Sequence, residues 1–255
     1  MDTAIQLYSL RSLDEPLEET LARVADAGLD GAEFAGTGDA SPTELRATLD
    51  EQGLAAAGAH VPIEVIEDDV ADIVRTCTLL GTDTLVVPIL DADRFADADA
   101  VAETATMLSE LAERVADDGL RLAYHNHELE FVAVDGDGAG DGEESETAFE
   151  RLVETTEGVD FELDVGWAHA AGADPVALIE QYGERISRVH LKDVAVDAAA
   201  ERGGRPVDLG VGDVPLVECA EAARAADVDW AVFEHDAPED PVAFVESAGE
   251  WSDRV

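Results

Sequence analysis

Six histidines and one lysine are the residues of this chain best able to move protons or hold a metal, and all seven stand where a strand-like run gives way to a loop. His60 closes LAAAGAH, and His125 and His127 close LRLAYHNH. His169 follows FELDVGW, His190 and Lys192 close RISRVHLK, and His235 closes DWAVFEH. None lies in a stretch with helical patterning. Asp164, His190 and Glu234 end the sixth, seventh and eighth of these runs. Carboxylate oxygens and imidazole nitrogens in that combination suit a divalent cation such as Mn²⁺, Mg²⁺ or Co²⁺. His125 is a candidate fourth ligand and equally a candidate acid/base. His127 is an acid/base or a contact to a sugar hydroxyl. Glu234 is the first choice for a base, and Lys192 would stabilise oxyanion charge or grip a phosphate. Trp167 offers an aromatic face for a sugar's C–H face. His60, His169 and Arg11 are further candidates for substrate contact. The same residues could also form a polar rim without a metal.

Such residues converge only if the elements place their strand ends together. Eight strand-then-helix units can be read: Ala4–Leu10, Gly31–Ala35, Leu54–Val61, Thr84–Ile89, Leu120–His127, Val159–Val165, Arg185–Lys192 and Asp229–His235, each followed by an apolar-periodic helix. The first helix is expected at Pro16–Ala27 and the last at about Pro241–Trp251. Ser41-Pro42-Thr43-Glu44 combines an N-cap, a proline at the first helical position and a capping-box glutamate. Asp174-Pro175 and Asp240-Pro241 repeat the aspartate cap with proline following. Gly28, Gly53, Gly81, Gly119, Gly158 and Gly183 follow helices, where a left-handed residue ends them. Eight βα units in 255 residues is the size of a single-domain (β/α)8 barrel, whose active site lies at the C-terminal strand ends. An open doubly wound sheet is the alternative, but no glycine-rich phosphate loop follows the first strand. A two-residue period puts Glu162 and Asp164 on one strand face, and Arg188, His190 and Lys192 together on another. Glu162 and Arg188 are expected deeper, as supporting or core ion-pair residues.

Two long connections break the rhythm, Glu128–Ser145 and Val194–Gly212, and long loops on this face are often functional. Within the first, DGDGAGDGEESE (Asp135–Glu146) partly matches a calcium-loop template but follows a strand and has Ala139 at the fifth position; it reads as a solvated acidic loop. Leu209-Gly210-Val211-Gly212-Asp213 could approach a phosphate or sugar with backbone N–H groups, or be a plain turn ending in an N-cap at Asp213.

Acidic residues number 60 against 15 basic, a net charge of −45, and 46% of residues are hydrophobic. The acids are interleaved with apolar residues along the whole chain, so they coat a folded surface. With arginine far outnumbering lysine, the pattern resembles proteins of salt-loving archaea. No basic stripe exists to neutralise nucleic-acid phosphates. No apolar run approaches the ~18 residues of a membrane span, and the N-terminus has no leader pattern, so a cytoplasmic protein is expected. Cys77 and Cys219 are isolated and read as small buried apolar residues. Whether the chain forms a homo-oligomer is left open by the sequence.

The segments IQLYSLR, YHNHELEF, LDVGWAHAAGADP, RVHLKDV, LGVGDV and VFEHD, in this order and across nearly the whole chain, resemble the sugar phosphate isomerase/epimerase family of xylose-isomerase-like barrels. The resemblance implies that Asp164, His190 and Glu234 are metal ligands and that Lys192 and Trp167 line a sugar site. It departs at His125, where the family's sugar epimerases usually offer a glutamate; the histidine is closer to the inosose-dehydratase and keto-glycoside branches. Apurinic-endonuclease relatives carry a histidine where this chain has Trp167. The expected activity is a divalent-metal-dependent isomerase or epimerase of a carbohydrate (a sugar, sugar phosphate or cyclitol) working through an enediolate. An inosose dehydratase or keto-glycoside lyase on the same site is the alternative. A non-catalytic metal- and sugar-binding barrel is another.

Overall fold

A computed structural model describes residues 1–134 and 146–255. Eight parallel strands close into a barrel: β1 (Asp2–Gln6), β2 (Gly31–Phe34), β3 (Ala55–His60), β4 (Thr84–Val87), β5 (Arg121–His125), β6 (Val159–Asp164), β7 (Ile186–Leu191) and, last in the chain, Trp230–Phe233. Between β7 and that last strand runs a two-stranded antiparallel hairpin, β8 (Asp193–Val196) and β9 (Gly204–Val207), which makes the closing strand β10. Around the barrel the order is β1-β10-β7-β6-β5-β4-β3-β2. The fold is the expected (β/α)8 barrel, and the strands bearing Asp164, His190 and Glu234 are adjacent.

The strands are short and apolar, with β-branched and aromatic residues facing the helices, so most of the core lies between the barrel and its helical coat. The barrel interior holds small residues at its base: Ala4, Ala57 and Val232 pack together, with Trp230 beside them. Helix starts follow the chemistry read from sequence. Ser41 and Glu44 form a reciprocal capping box on the helix Pro42–Gln52. Asp174 and Asp240 each cap a helix that begins with proline, Pro175–Tyr182 and Pro241–Ser252. The first helix is Leu17–Asp26.

Several boundaries differ from expectation. Pro88 ends β4 at Val87 because it has no N–H for the ladder. β5 ends at His125, β7 at Leu191 and β10 at Phe233, so Lys192 and Glu234 are the first residues beyond their strands and His127 the second. His169 lies within a six-residue helix, Val165–Ala170, whose start is fixed by Asp164 accepting from Trp167 N at 2.8 Å; it is therefore not in a loop. Gly183 has φ −53° and opens a 3₁₀ turn rather than ending a helix in the left-handed region. The connection Val194–Gly212 is largely the β8–β9 hairpin. Of the acidic stretch Asp135–Glu146, only Glu146 falls among the described residues.

The glycine-rich segment before the helix Leu216–Ala225 is a turn built on a carboxylate of the chain itself. Asp193, buried at the start of β8, accepts from Gly210 N (2.8 Å) and Gly212 N (2.9 Å) through Oδ2, and from Val194 N (2.9 Å) through Oδ1. A side chain on Gly212 would collide with that carboxylate, so glycine is required there. Asp213 does not cap the helix; its carboxylate accepts from Val196 N at 2.8 Å and braces the hairpin.

Candidate metal centre

Register sets the geometry at the barrel mouth. Asp164 pairs with His190 across β6–β7, and Val232 pairs with His190 across β7–β10, which brings Glu234 level with Lys192. His125 comes from β5 on the other side of β6. Donor atoms of His125, Asp164, His190 and Glu234 all lie within 4.8 Å of one another, and all four residues are buried. His190 Nδ1 is 2.8 Å from Glu234 Oε2, and His125 Nε2 is 3.5 Å from Asp164 Oδ2 and 3.9 Å from Glu234 Oε2.

Supporting contacts orient each donor. His125 Nδ1 sits 3.0 Å from Pro88 O, which places the ring proton on Nδ1 and leaves the Nε2 lone pair facing the carboxylates. Asp164 uses Oδ1 for the helix cap, and its own N–H donates to Asn126 Oδ1 at 3.0 Å. Two atoms are thereby buried without a hydrogen-bond partner, His125 Nε2 and Asp164 Oδ2, and they face each other. Buried polar atoms are rarely left unpaired. Two carboxylates and two imidazoles whose donor atoms converge on one point fit a divalent cation, which would displace the proton that His190 Nδ1 shares with Glu234.

Lys192 closes one side of this group. Its ammonium, 1% exposed, lies 2.8 Å from Asp164 Oδ2, 2.9 Å from Glu234 Oε2 and 2.7 Å from Asp236 Oδ1. The contact with Asp164 is close enough for charge attraction but is not aligned as a hydrogen bond. Burial alone would raise the Asp164 and Glu234 carboxyls; Lys192 outweighs it in both, aided by His125 at Asp164 and by His190 at Glu234, and holds both below the usual carboxylate range. Both are therefore anions at neutral pH.

A second polar layer lies deeper. His190 Nε2 faces Glu33 Oε2 at 2.7 Å and Glu162 Oε1 at 2.9 Å, so Nδ1 is the nitrogen left to serve the mouth. His60 Nε2 contacts the same two carboxylates, at 3.2 and 2.7 Å, and Arg188 Nε lies 3.8 and 3.5 Å from them. Arg188 also donates to Ala57 O at 2.9 Å. A Cβ at Gly58 would lie 2.6 Å from Glu33 Oε1, so glycine keeps room for this layer. The donor atoms of Glu33, His60, Glu162 and His190 also lie close enough together to hold a metal, but Arg188 and His60 already supply the countercharge that two buried glutamates need. Burial would lower the His60 imidazole, yet Glu162 and Glu33 outweigh it and push it up to about 9 from 6.5. Because the folded value is raised, this contribution to stability is complete below pH ~6.5 and is lost as pH rises through about 9. The melting temperature is accordingly expected to fall between those limits, and His60→Gln should flatten the slope. Calorimetry across that range checks it; an identical slope in the variant would count against the assignment.

Of the other expected site residues, His127 joins the mouth: its ring lies edge-on to His125 at 4.8 Å, and its Nδ1 is buried without a hydrogen-bond partner among the described residues. Burial first, then His125 and Lys192, push it down to about 2, so it is a neutral imidazole. Trp167 is buried beneath Arg202, whose guanidinium lies 3.5 Å from the ring centroid. Arg11 is exposed on the rim, stacked on Tyr8 at 3.7 Å. His60 lies in the deeper layer rather than at the mouth. His169 and His235 belong to neither metal-competent group. Sequence reasoning missed Glu33, whose one signal is an acid inside the apolar strand GAEF. It also missed Arg202, which carries no local pattern, and Glu128 and Asp236, which lie inside the motifs YHNHELEF and VFEHD without standing out there. Glu130 was missed too; buried, it accepts from His127 N (2.9 Å) and Tyr124 Oη and so fixes the backbone of His127.

The family profile of the xylose isomerase-like TIM barrel matches residues 21–254. The chain belongs to this family. Among curated proteins it is similar to the rhizopine catabolism protein MocC of Rhizobium meliloti, 30% identical over 80% of this chain, although it spans only 65% of that relative's length. It is similar to an inosose dehydratase of Bacillus anthracis (24% identical, 74% of this chain and 68% of the relative). Among solved structures, a sugar phosphate isomerase/epimerase from Parabacteroides distasonis superposes with TM-score 0.77 at 21% identity, covering 98% of this chain and 93% of that one. The IolI protein with a bound zinc atom superposes with TM-score 0.76 at 16% identity, covering 99% and 95%. No helix among the described residues is long and apolar enough to cross a membrane.

Proposed function

We propose that the protein is a divalent-metal-dependent isomerase or epimerase of a polyhydroxylated carbonyl compound (a sugar, sugar phosphate or cyclitol) acting by proton removal beside the carbonyl. The observation that carries this reading is the convergence of His125, Asp164, His190 and Glu234 with two orphaned donor atoms facing each other. A divalent cation held there supplies Lewis-acid polarisation of a carbonyl and its neighbouring hydroxyl. Glu234, kept ionised by Lys192 and His190, is the base: Oε2 is engaged by both, while Oε1 makes no hydrogen bond among the described residues. The Lys192 ammonium stands where it can offset oxyanion charge developing beside Asp164 and Glu234. His127 offers a neutral imidazole for returning or relaying a proton. Replacing the proton on the opposite face gives an epimer, and replacing it on the adjacent carbon gives an isomer.

Dehydration by the same first step is a second reading. It is favoured by the inosose dehydratase relatives and by His127, whose Nδ1 has no hydrogen-bond partner among the described residues and can serve a leaving hydroxyl. Turnover of a panel of ketoses and inososes in D₂O, followed by NMR and mass spectrometry, tests both readings. Deuterium at the carbon beside the carbonyl is expected, reduced in Glu234→Gln, and loss of one water from the product selects dehydration. Intramolecular transfer of label from deuterated substrate, unaffected by Glu234→Gln, would defeat proton transfer.

A further inference from the structure

The two cations that lie against the metal group and Trp167, Lys192 and Arg202, are already paired. Lys192 is enclosed by Asp164, Glu234 and Asp236 at 2.7–2.9 Å. Arg202, reaching over from the β8–β9 turn, lies face-on to Trp167 and is held by Glu128 Oε2 at 2.7 Å and Asp236 Oδ2 at 3.3 Å. Among the described residues these two cations face four carboxylates, Asp164, Glu234, Asp236 and Glu128, and a divalent metal would close that balance to neutrality. The backbone donors that could cradle a phosphate are taken as well: the Gly210 and Gly212 N–H groups by Asp193, and the Trp167 N–H by Asp164.

From this closed balance we infer that the site accepts an uncharged polyhydroxy ketone and rejects its phosphorylated or carboxylated counterparts, with Glu128 and Asp236 as the specificity-determining residues. The inference rests on the functional reading above and narrows it. An anionic substituent brought beside Arg202 meets a guanidinium whose charge is spent and two carboxylates that repel it, in a setting where partial burial weakens screening. Hydroxyl groups meet no such penalty, because Glu128 Oε1, which makes no hydrogen bond among the described residues, and the Arg202 N–H groups can exchange hydrogen bonds with them. Arg11 is a rim cation without a carboxylate partner among the described residues, so it is the group that would carry a phosphate if the inference is wrong.

The test is titration calorimetry on the Mn²⁺-loaded protein with D-fructose, D-tagatose and an inosose, each ketohexose matched by its 6-phosphate. At least one neutral ligand should bind about tenfold or more tightly than any phosphate. Glu128→Gln and Asp236→Asn, which lie outside the four-residue metal group, should each raise phosphate affinity relative to neutral affinity by about fivefold. Circular dichroism verifies that both variants fold. A phosphorylated ketose binding as tightly as its neutral partner in the wild type, above all if Arg11→Ala removes that binding, overturns the inference and leaves the functional reading standing. Mn²⁺ binding with no affinity for any ketose or inosose overturns the functional reading and the inference with it.

Discussion

Dialysis from molar KCl into millimolar buffer is expected to unfold the protein. With 60 acidic residues against 15 basic ones, the folded chain confines a net charge of −45. Paired contacts absorb little of it. At the base of the barrel Arg121 alone serves Asp83, Asp160 and Asp229, at 3.5, 3.5 and 3.2 Å. The remaining acids lie mostly on exposed helical faces, where repulsion acts over the Debye length of ~30 Å at 0.01 M salt and is cut to ~3 Å at 1 M. The buried core cannot offset this, because a domain's net stability is only about 5–15 kcal/mol. Far-ultraviolet ellipticity should collapse cooperatively as KCl falls and recover when it is restored. A melting temperature indifferent to salt would show that the acidic surface is tolerated without screening.

Asp164→Asn should lower kcat/KM by more than the 10–100-fold typical of residues that only orient a metal ligand. The variant keeps the side-chain oxygen that caps the helix Val165–Ala170, so the fold is preserved. What it loses is one of the two anionic donors and the countercharge to Lys192. Metal content and turnover should fall together, and chelation of the wild type should reproduce the loss until Mn²⁺ or Mg²⁺ is restored. Full metal occupancy with full activity in the variant would remove Asp164 from the site.

The barrel and its mouth were legible because the signals are local. Asp-Pro caps, a capping box and strand-end histidines each follow from a few adjacent residues, and the adjacency of β6, β7 and β10 follows from the fold class. The hairpin was not legible: VAVDAAAERGGRPV lacks strong alternation, and its strands exist because Asp193 and Asp213 tie the following turn back onto them. The deep layer was read only in part. Glu162 and Arg188 could be assigned inward by strand period, but Glu33 joins them through a barrel closure that brings β2 opposite β6 and β7, which no sequence spacing displays. Trp167 shows the same limit. Its position three residues after Asp164 was plain, whereas the arginine covering it comes from thirty-five residues further on.

Anomalous diffraction from crystals soaked in Mn²⁺ tests the central claim most directly. One strong peak is expected, bonded to His125 Nε2, Asp164 Oδ2, His190 Nδ1 and a Glu234 oxygen, and absent from crystals of Asp164→Asn. No peak at the barrel mouth, or a peak confined to the deeper layer of Glu33, His60 and Glu162, would contradict it.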